Sequence, residues 1–146
     1  GLLAATIAAR DEMDRIRREE SEANGVSFVD TMRDQVARNT RSPGLVALHV
    51  VLSAEATDPQ HPAHESFRER YRQIRHQDDE SFSRLQADGE LRDDLDPRRV
   101  GQLVTAMMDG LQLQWLLDPD AVDMEGLFED FLRLLEIPAR GDGDAG

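Results

Sequence analysis

The residues best placed to do chemistry in this chain are two histidines three apart, His61 and His64, with carboxylates nearby at Glu55, Asp58 and Glu65. Imidazole and carboxylate groups suit zinc, so this is the one cluster where a metal site could be read. The spacing is short and shared by many solvated helix starts, and His61 directly precedes Pro62, so the plainer reading is a polar helix N-terminus. A di-metal centre in a helical bundle needs inward Glu-x-x-His pairs, and the sequence contains none. Nucleophilic catalysis is equally unsupported. Ser27, Ser42, Ser53, Ser66, Ser81 and Ser83 fall in caps or helices, with no glycine elbow around any of them. The run Asp78-Asp79-Glu80 reads as a solvated face. Cysteine is absent, which excludes disulfides and thiolate metal sites. The expectation is therefore no enzyme, no metal and no cofactor.

The elements that carry these residues belong to a chain of 146 residues, 39% hydrophobic and 32% charged. That length fits one domain, expected over 1–137, burying roughly two thirds of its unfolded surface. No apolar run approaches the ~18 residues of a membrane span, and the apolar start at Gly1–Arg10 lacks the basic flank of a secretory signal. A cytoplasmic location is the default expectation. Seventeen basic residues, all arginine, against 30 acidic ones leave a net charge of −13. Such a surface repels a phosphate backbone, and the counterion release that drives nucleic-acid binding needs a basic footprint absent here. Gly1 stands where an initiator methionine would, and Leu2-Leu3-Ala4-Ala5 already reads as helix, so the expectation is a fragment of a longer protein.

Apolar spacing is helical almost throughout and predicts an all-α fold of six helices. The first runs from about Leu2 to Ala23, with Leu3, Ile7, Met13 and Ile16 inward, and ends at Asn24-Gly25. Ser27 caps the second, Phe28 to Arg38, whose stripe is Phe28, Met32 and Val36. Ser42-Pro43 opens the third, with a hydroxyl cap and proline at the first helical position; Leu45, Leu48, Val51, Leu52 and Ala56 form its face, and Asp58-Pro59 stops it. His61-Pro62 starts the fourth, to about Asp88, with Phe67, Tyr71, Ile74, Phe82 and Leu85 on one face. Asp96-Pro97 opens the fifth, apolar on more than one side as far as Leu117. Asp123 caps the last, about Met124 to Leu135. The tail 138–146, rich in glycine and aspartate, is expected to be disordered.

The fifth and sixth helices carry more apolar surface than the other four can cover, and Gly110 sits mid-helix at a cost of ~1 kcal/mol relative to alanine. Close approach of another helix accounts for both. The expected arrangement is a homodimer in which the last two helices of each subunit form an intersubunit four-helix bundle. Its interface would use Leu103, Ala106, Gly110, Leu113, Gln114, Leu117, Leu127, Phe128, Phe131, Leu132 and Leu135. A monomer whose central core is these helices is the alternative.

Asp96-Pro97, the segment Ala106-Met107-Met108-Asp109-Gly110-Leu111-Gln112-Leu113-Gln114-Trp115 and Leu117-Asp118-Pro119 together resemble the C-terminal domain of TetR-family regulators, in particular actinobacterial ones. Leu52-Ser53-Ala54-Glu55-Ala56, His61-Pro62, Phe67-Arg68-Glu69-Arg70-Tyr71 and Asp88-Gly89-Glu90-Leu91 extend the likeness, which covers Leu2 to about Leu135. The specificity lies in the order and spacing of these segments. The resemblance implies an N-terminal helix-turn-helix domain that binds an operator, joined through a connector helix that 1–23 is similar to. It also implies dimerisation through the last two helices and a ligand cavity among the middle ones. This chain lacks the helix-turn-helix, so DNA would be reached only through the missing domain. The implied function is small-molecule control of operator affinity; a stand-alone helical dimeric scaffold is the other reading.

An effector site would be concave and mostly apolar, with a few polar groups. The candidates are Met32, Val36, Leu48, His49, Leu52, Phe67, Tyr71, Ile74, Met107, Met108 and Leu111, with Val104 and Gln112 beside them. The plainer reading of each is ordinary core. The expected ligand is a small lipophilic molecule.

Overall fold

The computed structural model describes residues 1–141. They form six helices and no strand: α1 (Leu2–Ala23), α2 (Phe28–Thr40), α3 (Pro43–Glu55), α4 (His64–Ala87), α5 (Pro97–Leu117) and α6 (Met124–Leu134). Contacts group into two compact units, Gly1–Tyr71 and Arg72–Gly146, divided inside α4. The expected all-α architecture of six helices is the observed one. Residues 138–141 carry no helix, and the rest of the predicted disordered tail lies outside the described residues.

Local chemistry explains most boundaries. Gly25 and Gly89 take positive φ, +89° and +79°, and each closes its helix with a paired return of amides to carbonyls. Val26 N–H reaches Ser21 O at 2.9 Å, and Glu90 N–H reaches Leu85 O at 2.9 Å. This is the Schellman arrangement, which needs a left-handed residue and so favours glycine. Ser27 Oγ accepts from Asp30 N–H at 3.1 Å, Asp96 caps α5 through Arg98 N–H, and Asp123 caps α6 through Gly126 N–H. Ser42 occupies the cap position of α3 without a side-chain hydrogen bond, so there proline alone sets the start.

The start of α4 differs from expectation. His61-Pro62 lies in a turn and the helix begins at His64. His61 Nδ1 accepts from Ala63 N–H at 3.0 Å, and His64 Nδ1 sits 2.8 Å from Ala56 O. These bonds hold the chain in a turn for three further residues.

In the first unit α1, α2 and α3 pack pairwise. Ile7, Leu52, Ala56, Ala63 and Phe67 form a buried cluster, with Ala4, Leu48 and Tyr71 packed against it. Arg10 Nη2 donates to Asn39 Oδ1 at 2.8 Å, tying α1 to α2. Of the four residues expected to face inward on α1, Ile7 does so, while Leu3, Met13 and Ile16 are exposed. Periodicity locates an apolar residue on a helix, but burial needs a neighbour on that side.

In the second unit α5 packs on α6. Phe82, Leu85, Leu91, Val100, Val104, Met124, Phe128 and Leu132 are buried, with Phe82 and Leu132 fully so. Gln86 Nε2 donates to Arg92 O at 3.1 Å and to Leu95 O at 2.7 Å, fastening the α4–α5 connection to α4. Trp115, the sole tryptophan, is half-buried near the end of α5.

Candidate functional site

The most developed polar arrangement in the first unit lies beside its apolar cluster. Ile7 and Asp11 are four residues apart on α1, so they share a face; Ile7 enters the cluster and Asp11 meets Arg70 of α4. Arg70 Nε and Nη2 donate to the two carboxylate oxygens of Asp11 at 2.6 and 3.1 Å, a bidentate pair. Its Nη1 donates to His49 Nε2 on α3 at 2.6 Å. One guanidinium thus ties three helices. Burial, then the adjacent Arg70 charge, push the His49 pKa down from 6.5 to about 4, against the opposing pull of Asp11. The ring is therefore neutral near pH 7, and its Nε2 is free to accept. The His49 ring centroid lies 6.0 Å from that of Phe67, and Arg70 Cζ lies 5.6 Å from the Tyr71 ring centroid.

The sequence-derived effector residues fall in both units. Leu48, Leu52, Phe67 and Tyr71 come together in the first, with His49 beside Phe67. Met32 and Val36 lie on α2, half-buried and buried respectively. Ile74, Met107, Met108 and Leu111 belong to the second unit and are half-buried, as is Gln112; Val104 is buried. Arg70 and Asp11 were not among the candidates. A signal for Arg70 existed: it lies three residues after Phe67 on the apolar side of α4, where a charge needs a counterion.

The second arrangement is a face. Leu103, Ala106, Gly110, Leu113 and Leu117 recur at alternating steps of three and four along α5, a seam-like spacing. Leu103 is 59% exposed, Leu113 46% and Leu117 78%. Gln114 and Ala106 are exposed and Gly110 half-buried. A Cβ built on Gly110 meets nothing within 4 Å. On α6 Leu127 is exposed and Phe131 half-buried. Phe128, Leu132 and Leu135, expected at the interface, are 1%, 0% and 8% exposed within their own chain. They have almost no surface left to offer a partner, so the exposed α5 stripe with Leu127 and Phe131 is what remains of the expected seam.

Around His61 and His64, both Nδ1 atoms serve the local turn, and His61 Nε2 lies 3.8 Å from Glu55. No group of three metal-ligating side chains comes together among the described residues. No helix among them is long and apolar enough to cross a membrane.

This all-helical chain matches the C-terminal domain of a transcription regulator. It belongs to the TetR-type family described as BetI-type transcriptional repressor, C-terminal, whose model matches residues 27–136, well over half of the chain. Searches of curated proteins and of solved structures found no match. Regulators of this type are typically dimeric and DNA-binding, and the family is a regulatory class rather than an enzymatic one.

Proposed function

We propose that this domain dimerises through the exposed α5 stripe and binds a small lipophilic effector in the first unit, so controlling the operator affinity of a DNA-binding domain joined through α1. The observation that carries the dimer is the stripe itself. Leu103, Ala106, Leu113 and Leu117 stand open to water at heptad spacing, and the half-buried Gly110 at the centre of the stripe has no steric need of its own chain. A mid-helix glycine with empty space above it suits the close approach of a second helix. Exposed contiguous apolar surface of this kind marks an interface.

The effector reading rests on Leu48, Leu52, Phe67 and Tyr71 gathered beside His49 and Arg70. Apolar walls with a few oriented polar groups are what small-molecule sites are made of. α1 precedes the family match and carries Asp11 of the polar tie, which supports reading it as the connector. An effector transmits only if it binds the two states of the protein unequally. The direct test is operator affinity of the protein with its native upstream residues, measured with and without lipophilic molecules. Affinity that no such molecule changes sinks the effector part; a monomer at high micromolar concentration by sedimentation sinks the dimer.

A further inference from the structure

We propose that Arg70 anchors an amphipathic carboxylate, which takes the place of Asp11 on the guanidinium and unties α1 from α4. The inference rests on the reading of the first unit as an effector site and names the chemistry of its ligand. Three observations carry it. The first is the geometry of the pair. Arg70 presents the fork that holds a carboxylate by two N–H donors, and Asp11 occupies it in that manner. An incoming carboxylate finds a ready-made, correctly oriented partner.

The second is exposure. The Arg70 side chain is 23% exposed and that of Asp11 38%. Water reaches both, so Asp11 can pass from the guanidinium to solvent when another carboxylate takes its place. Exchanging one carboxylate for another keeps the local charge balanced, and Asp11 is released to solvent rather than stranded. His49 adds to the preference for an anion. Its Nε2 accepts from Arg70, so the neutral ring carries its proton on Nδ1, a donor rather than an acceptor.

The third is the apolar surface beside the fork. Leu48 and Tyr71, half-buried against the closed cluster of Phe67 and Leu52, provide the surface for a hydrocarbon chain. A neutral alcohol would gain only that contact, and a quaternary ammonium would meet the Arg70 charge. With Asp11 released, α1 keeps Ile7 in the cluster and the Arg10–Asn39 hydrogen bond. The exchange therefore loosens α1 near its middle without unfolding the unit.

Calorimetric titration of the full chain with decanoate, decanol and decyltrimethylammonium, each below its micellar concentration, tests this. Decanoate is expected to bind about tenfold tighter than decanol, the increment of a charge-assisted pair. Arg70→Gln should erase that difference while leaving decanol binding in place, and Arg70→Lys should keep only part of it. Asp11→Asn separates the exchange from a purely structural tie: it removes the internal competitor, so decanoate should bind several-fold tighter and decanol unchanged. Far-UV circular dichroism identifies any variant that fails to fold, and Arg70→Gln and Asp11→Asn make opposite predictions for the same ligand. Equal binding of decanoate and decanol overturns the anchor while sparing the effector site. Weaker decanoate binding by Asp11→Asn overturns the exchange. Binding of none of the three probes removes both the anchor and the site it rests on.

Discussion

Gly101 of α5 lies so close to Asp78 of α4 that a Cβ on the glycine would stand 2.7 Å from the aspartate Cβ. Thr105, one turn on, donates to Asp78 Oδ2 at 3.3 Å. Glycine is required here by its neighbour. Gly101→Ala, despite alanine's better helix propensity, should destabilise the chain by about 1–3 kcal/mol, the usual cost of overpacking. The urea midpoint of the variant checks it.

Gly110 on the same helix gives the opposite expectation. Nothing stands within 4 Å of its added Cβ, so Gly110→Ala should stabilise the isolated helix by up to ~1 kcal/mol. Gly110→Leu should fold equally well yet weaken self-association, because the second helix would be held off. Sedimentation equilibrium reads the difference. Association unchanged by leucine would take this stripe out of the interface.

Glu136 has φ 62°, a left-handed conformation at the end of α6. Ile137 N–H returns to Leu132 O and Glu136 N–H to Arg133 O, both at 2.9 Å. Ile137 is thereby brought under cover, 4% exposed. The motif is that of Gly25 and Gly89 with the wrong residue for its backbone. Glu136→Gly should raise stability by about 0.5–1 kcal/mol, the relief of strain less the added freedom of the unfolded chain. A higher melting temperature is the readout.

His49 sets a pH dependence. Its pKa in the fold is about 4 against 6.5, lowered by burial and by Arg70, with a smaller lowering by Arg10 and an opposing pull from Asp11. Between those values the unfolded chain binds the proton and the fold does not, so stability rises with pH. It is full above 6.5 and lost as the pH falls through 4. Unfolding midpoints measured across this window should fall on the acid side, and His49→Gln should flatten the change. A His49 ring signal that titrates near 6.5 in the folded protein would contradict the assignment.

How far the sequence carried depends on how local the cause was. Cap chemistry acts within a turn, so Ser27, Asp96 and Asp123 placed their helix starts correctly, and Asn24-Gly25 placed an end. Ser42 had the right type and position but makes no capping bond, and the turn at His61 depended on His64 reaching back to Ala56. α6 is amphipathic, with Glu125, Glu129, Asp130 and Arg133 on its polar side, but its apolar face is wide and its pattern did not say which edge is turned inward. Phe128 and Leu132 proved interior while Leu127 and Leu134 stand exposed. The apolar part of the candidate site was legible as the stripe of α3 and α4. The Asp11–Arg70 pair joins residues 59 apart in sequence, and only the packing of α1 against its neighbours creates it.

The position of Trp115 on α5 has a practical side. It is the only indole in the chain, half-buried on the helix that carries the exposed leucines. Its ultraviolet emission is therefore a single-site signal, free of competing tryptophan fluorescence. It sits on the side of α5 away from Leu103, Gly110 and Leu117, so loss of the packing around it on unfolding would let water onto the ring and shift the emission to the red. The domain carries its own optical gauge of folding, readable without a label.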